Sequence, residues 1–239
     1  GGAAPAVLKD RVNFELMGAN EWHHAPTLAG MADESLRFWL DPSAAMPDAH
    51  HLSLRRPRGA TFIRQIMDLK DRGDAAWTAP TDFISRSLAS RNGLVFVSDP
   101  FDKPLRFNGA FSGRLDFTMN KMDMDLNLSL FELTPQGDYV QLFNPTYEFR
   151  ASYARDRTRR HLLQAGVRQQ ISFRSERMTS RQFQAGSRLV MLLGLGKRPD
   201  REINYGTGND VSEESMLDAD EPFKIRWYAD SHIDIPIRR

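Results

Sequence analysis

The chain has no cysteine, no long apolar run and no excess of charge of either sign, and each absence removes a class of function. Without cysteine there is no disulfide framework, no thiolate nucleophile and no thiolate-bound metal. No stretch approaches the roughly 18 apolar residues of a membrane span, residues 191–195 being far too few. Lysine plus arginine at 32 against aspartate plus glutamate at 31 leave a net charge of +1, so no electrostatic field calls for nucleic acid or an anionic membrane as partner. The arginine runs at Arg55, Arg56 and Arg58 and at Arg155, Arg157, Arg159 and Arg160 read as solvated loops under that neutral total.

Catalytic signatures are missing too. A serine nucleophile on a sharp strand-to-helix turn needs G-x-S-x-G, which does not occur. Gly194-Leu195-Gly196 is followed by Pro199 where a dinucleotide loop has its third glycine, and Gly196-Lys197 by Arg198 where a P-loop has its hydroxyl. Both read as a strand end and its turn. The doublets His23-His24 and His50-His51 lack the i, i+4 spacing of a zinc helix, and adjacent residues of an extended segment point to opposite sides. Asp123, Asp125 and Asn127 begin like a calcium loop, but Leu128 and Thr134 stand at its glycine and glutamate positions, so the three are expected on a solvated strand face. No metal, no cofactor and no catalytic residue is expected in this chain.

What the sequence does have is β-patterning. Leu126, Leu128 and Leu130 alternate with Asn127 and Ser129, burying one face of a strand, and Thr134-Pro135-Gln136-Gly137 suits a type I turn into a second strand. Similar runs fall at 12–17, 36–40, 61–69, 94–98, 105–109, 111–117, 126–133, 139–143, 147–152, 167–173, 188–195, 223–228 and 233–237. Residues 20–24 read as a loop, 41–51 as an irregular excursion and 70–74 as a polar turn. Thr81 or Asp82 is placed to cap a short helix carrying Phe83, Ile84 and Leu88. Many short strands between glycine, proline and asparagine turns predict an all-β, jelly-roll-like sandwich, galactose-binding-domain-like, with short helical excursions. At 239 residues one such domain, 1–239, with an irregular excursion at about 41–93, accounts for the chain. Trp22, Trp39 and Trp227 read as core or interface residues. Trp77 lies in a polar, irregular segment where a binding role is open.

The ordered motifs resemble those of a known family. Residues 12–22, ending Met17-Gly18-Ala19-Asn20-Glu21-Trp22, are similar to the "MG.N.W" opening of the C-terminal domain shared by X-Pro dipeptidyl-peptidases, cocaine esterase, α-amino-acid ester hydrolases and glutaryl-cephalosporin acylases. Residues 94–100 with 105–109 resemble "L.Y.S.PL...L...G", 125–137 "DF.V.L.DV.PDG", Phe149-Arg150 with 163–167 "R.R…L.PG.V", 183–189 "F..GHRL" and 230–237 the closing "S.L.LP". The likeness runs the length of the chain in order. Ser187 replaces the histidine of "GHRL", Leu126 replaces an aromatic, and residues 62–92 differ from the cocaine-esterase form.

The resemblance implies a jelly roll packed on an α/β-hydrolase domain that holds the serine, acid and histidine of the triad. Its partner is then the N-terminal domain of the same protein, missing here. The opening Gly1-Gly2-Ala3-Ala4-Pro5 reads as no signal peptide but as an artificial tail or a cut inside a longer protein. On this reading the chain is a non-catalytic accessory domain of a serine hydrolase that cleaves esters, amides or X-Pro peptides through an acyl-enzyme. Phe62 and Trp77 are its candidate substrate-cleft contacts. The alternative is a free-standing sandwich that binds carbohydrate or a protein partner. A cupin-type metal enzyme would need histidines on adjacent inward strand positions, which the doublets do not supply. Self-association and compartment, cytoplasmic or exported, stay open.

Overall fold

The computed structural model describes residues 5, 8–71, 83–90, 93–144, 146–198 and 201–239. In chain order the strands are β1 (Val12–Leu16), β2 (Glu21–Ala25), β3 (Glu34–Met46), β4 (Ala49–Ser53), β5 (Phe62–Met67), β6 (Ile84–Ser85), β7 (Leu94–Ser98) and β8 (Leu105–Gly109). Then follow β9 (Ser112–Met119), β10 (Asp125–Leu133), β11 (Tyr139–Gln141), β12 (Tyr147–Arg150), β13 (Gln169–Arg174), β14 (Thr179–Phe183), β15 (Arg188–Leu195), β16 (Phe223–Tyr228) and β17 (His232–Arg238). Helical structure among the described residues is limited to single 3-10 turns at Ala29–Met31, Ala151–Tyr153, Val211–Glu213 and Met216–Asp218. The protein is all-β, as its patterning predicts.

The strands form two layers. In the first sheet β9 pairs with β13 on one side and with β16 and β17 on the other, and these pair in turn with β5 and the first half of β3. β8 and β14 prolong that sheet beyond the start of β9. The second sheet runs from the far half of β3 through β4, β7, β15 and β10 to β11 and β12, with β4 and β7 parallel. β3 belongs to both layers. It turns the corner where its register shifts between Asp41 and Ala44, a bulge that takes up Pro42, which has no N–H to give to a ladder. The two inner faces meet in one core, with Leu126, Leu128 and Leu130 of β10 opposite Leu115, Phe117, Trp227, Ile233 and Ile235.

Several segments differ from the sequence expectation. Residues 20–24 are not a loop, because Gly18 (φ +85°) and Asn20 (φ +56°) turn the chain back after Leu16 and Glu21–Ala25 pairs along all of β1. The 41–51 excursion is regular: β3 continues to Met46 and β4 follows. Ile84–Ser85 is a strand paired with Tyr139 and Val140, not part of a helix, and the Phe83 carbonyl accepts from the Gln141 amide. Thr81 and Asp82 lie outside the described residues. Of the three residues expected on a solvated face, Asp125 and Asn127 of β10 are partly exposed and Asp123, just before the strand, is fully buried; farther along the same face Ser129 and Phe131 are nearly buried. The Thr134 turn forms as expected, the Gly137 amide donating to the Thr134 carbonyl at 2.9 Å.

Candidate functional site

Alternation along the first sheet sends Leu115, Phe117, Ile225 and Trp227 inward and leaves the even-numbered residues of β9, β13, β16, β5 and β17 on the outer face. Register then assembles them in rows. One row crosses Ser172, Arg114, His232 and Trp39, the next Arg174, Ser112, Asp234 and Arg37. Below them Asp116 is fully buried although it faces outward, because Arg168 clamps it with two bonds of 2.7 and 2.9 Å and Gln170 donates at 2.9 Å. Arg168 reaches on to Asp230 at 2.9 Å and lies over the Tyr228 ring, 3.9 Å from its centroid. Its charged form is strongly favoured, first by the bond to Asp116.

Asp230 is itself held by Arg56, which lowers its pKa, and the Arg56 guanidinium sits 5.3 Å from the Trp39 ring centroid. Arg37 forks onto Asp234 at 2.7 and 3.0 Å. His232, buried against Trp39 with ring centroids 5.0 Å apart, has its pKa lowered mainly by that burial. So Arg56 does not sit in a free loop, and neither does Arg160, which pairs with buried Asp123 at 3.0 Å.

Phe62 lies at the margin of this face. It is half-buried, edge-on to Tyr228 at 5.8 Å, with the guanidiniums of Arg64 and Arg226 over its ring at 5.6 and 5.2 Å. Trp77 falls outside the described residues. The arginines around Phe62 are what sequence reading missed. Their alternation is visible within 223–228, but the register that puts Arg226 opposite Arg64 is long-range.

A second concavity opens where the free edges of the sandwich, β12 and β13, face each other. Tyr147, Phe149 and Phe173 stack on its floor with centroids 5.3 to 6.1 Å apart. Its rim carries the ion pairs Arg157 to Glu176 and Arg201 to Glu148, and it encloses about 730 Å³. Burial raises the pKa of the Tyr147 hydroxyl, which works against its serving as an acid or base near neutrality. Among the described residues no serine hydroxyl is hydrogen-bonded to a histidine, and no three acidic or histidine side chains converge as metal ligands.

No family model and no curated protein matches the chain. Solved structures do. An aminopeptidase from the marine sediment archaeon Thaumarchaeota archaeon matches 99% of this chain with a TM-score of 0.79 and 18% identity, over 42% of its own length. An α-amino acid ester hydrolase matches 95% with a TM-score of 0.73 and 19% identity, over 41% of its length. A CocE/NonD family hydrolase from Staphylococcus aureus matches 95% with a TM-score of 0.63 and 15% identity, over 40% of its length. The fold is that of a β domain of these hydrolases. The chain spans about two fifths of each of them.

The resembling motifs can now be read physically. A Cβ on Gly18 would stand 2.8 Å from the Gln182 carbonyl, and Met17 bridges to β14 through bonds to Ser180 and Gln182, so this part of the opening motif clasps the hairpin to the first sheet. Trp22, 55% exposed, is not used by that clasp. Ser187 is fully buried and donates at 2.7 Å to Glu132, which Arg181 also binds, a polar lock closing one end of the core.

Proposed function

We propose that residues 1–239 form a single accessory β-sandwich domain of a multidomain serine hydrolase, without a nucleophile of its own. The observation that carries this reading is the coverage: 99% of the chain matches only 42% of an aminopeptidase chain. The absence of G-x-S-x-G agrees with it. The acyl-transfer machinery then belongs to an α/β-hydrolase domain of the same protein, acting on esters, amides or X-Pro peptides. This domain covers the catalytic one and helps to keep water from its cleft, which strengthens electrostatic stabilisation of the acyl-transfer transition state. Phe62 and Trp77 are its candidate cleft contacts.

The test is hydrolysis of p-nitrophenyl acetate and an X-Pro-p-nitroanilide by this chain and by the protein carrying its natural upstream sequence. Activity in the longer form alone, abolished by a serine-directed inhibitor, supports the reading; turnover by the 239 residues alone overturns it. The stacked rings of the β12/β13 groove favour one second reading, a free-standing carbohydrate-binding module. Quenching of intrinsic fluorescence by soluble oligosaccharides would support it.

A further inference from the structure

The outer face of the first sheet holds more positive charge than the described residues neutralise. Arg37, Arg56 and Arg168 use up its aspartates, Asp116, Asp230 and Asp234. Arg64, Arg106, Arg114, Arg174, Arg226 and Arg238 share the face, and among the described residues none has a carboxylate within ion-pair distance. Since the whole chain carries a formal +1, this excess is a local feature and not a reflection of the total. It is also set against itself. Register places Arg226 directly opposite Arg64 and Arg238 directly opposite Arg106, and like charges so opposed destabilise a sheet. At the centre of the face, the Arg114 Nε is buried with no hydrogen-bond partner.

We propose that this face docks onto an acidic surface of the catalytic domain, whose carboxylates pair with Arg64, Arg114 and Arg226. The inference rests on the accessory-domain reading and deepens it by naming the face and the chemistry of its partner. Two features favour a protein over a nucleic acid. The anion already bound on this face is carboxylate, taken in a forked geometry by Arg37 and Arg168. The guanidiniums lie on Trp39, Tyr228 and Phe62, and tryptophan, tyrosine and arginine are the residues that dominate protein–protein hot spots. The ion pairs and ring contacts also order the surface before contact, which lowers the entropic cost of association.

The test is Arg226→Glu, made in this chain and in the protein with its upstream sequence, beside Arg159→Glu in an exposed loop as control. In the chain alone the substitution puts a carboxylate opposite Arg64 and raises the melting temperature by about 1 to 4 °C. In the longer protein it sets carboxylate against carboxylate. There it speeds proteolytic release of the β domain at least about tenfold, as does 0.5 M NaCl for the unsubstituted protein, with the control unchanged. These opposite signs are what a merely structural arginine would not produce. Shifts of the same sign in both forms, with hydrolase activity intact, overturn the docking face and leave the accessory reading standing. Absence of hydrolase activity in the longer protein overturns the reading itself. Two results on the chain alone replace the proposed occupant: salt-sensitive binding of duplex DNA lost in Arg226→Glu, or salt-sensitive dimerisation in sedimentation.

Discussion

The two sheets bury their inner faces in the same core and treat their outer faces in opposite ways. Outside the second sheet, Val97, Phe131, Val190 and Leu192 form an apolar cluster that the chain covers itself, with Ala45, Met46 and Ala49 from the facing ends of β3 and β4 and with Leu88. Outside the first sheet the surface is built from guanidiniums, aspartates and aromatic rings, and among them the Arg114 Nε is buried without a hydrogen-bond partner. One face is finished by hydrophobic burial within the chain. The other is ordered by ion pairs, and among the described residues its arginines outnumber the aspartates that pair with them. The 41–51 segment is a paired ribbon and not an excursion because it continues the second sheet through β4 to β7, while its hairpin end packs Ala45, Met46 and Ala49 on the outer cluster.

The comparison breaks most visibly on the covered side. Phe131→Ala removes the largest side chain of the outer cluster and its edge contact with Tyr139, and is expected to destabilise the chain by about 3 to 5 kcal/mol in urea unfolding. A loss below about 1 kcal/mol would mean that the β3–β4 hairpin end and Leu88 do not seal this cluster in the folded unit. On the open side the comparable change is Arg168→Ala, which leaves Asp116 buried with Gln170 as its remaining side-chain partner. The expected loss is about 3 kcal/mol, with Arg168→Lys recovering only part because an ammonium cannot fork onto both oxygens. If Asp116→Asn in that background restored stability, the cost would be confirmed as that of an unpaired buried charge.

A smaller effect separates the faces by pH. His232 is buried beside Trp39, with Arg37 and Arg114 opposing its protonation and the Asp230 carbonyl and Asp234 favouring it, and burial leaves its pKa below the usual 6.5. A histidine with a lowered folded pKa binds its proton more readily when the chain is unfolded. Its contribution is therefore present above about pH 6.5 and is lost as the pH falls below that value. Asp230, lowered chiefly by Arg56, acts in the same direction but only near and below its own unfolded pKa of 3.8. Melting temperature should thus fall between pH 7.5 and 5.5, and His232→Gln should flatten that part of the profile. An unchanged slope in the variant would place the titration elsewhere.

How far the sequence could be read follows from these same residues. Arg188–Leu195 and Phe223–Tyr228 match their strands to the residue, because uninterrupted or alternating apolar runs leave no other period. β2, β4 and β14 are not legible, because Glu-Trp-His-His-Ala, Ala-His-His-Leu-Ser and Thr-Ser-Arg-Gln-Phe carry little apolar periodicity: β2 is held by the turn that folds it onto β1, and β4 and β14 by pairing with the distant β7 and β8. At the candidate face, Phe62 could be singled out by type. Arg64, two residues on along the same face, is local, but Arg226 is brought to the ring only by the register between residues 62–67 and 223–228. Asp116 carries no signal either, its burial depending on Arg168, which stands just before the start of β13.

The smallest expected effect is the sharpest test of whether the open face is a structural network or a surface awaiting a partner. Arg37 and Asp234 form a forked pair at 2.7 and 3.0 Å, but the arginine side chain is 50% exposed, so water and salt screen the attraction. A double-mutant cycle of Arg37→Ala and Asp234→Ala in this chain should give a coupling of about 0.2 to 1 kcal/mol that shrinks in 0.5 M NaCl. A coupling above about 2 kcal/mol, insensitive to salt, would mean that the arginine rows stabilise the sheet in their own right. Their charge excess would then need no partner, and the difference between the two outer faces would be one of composition and not of completeness.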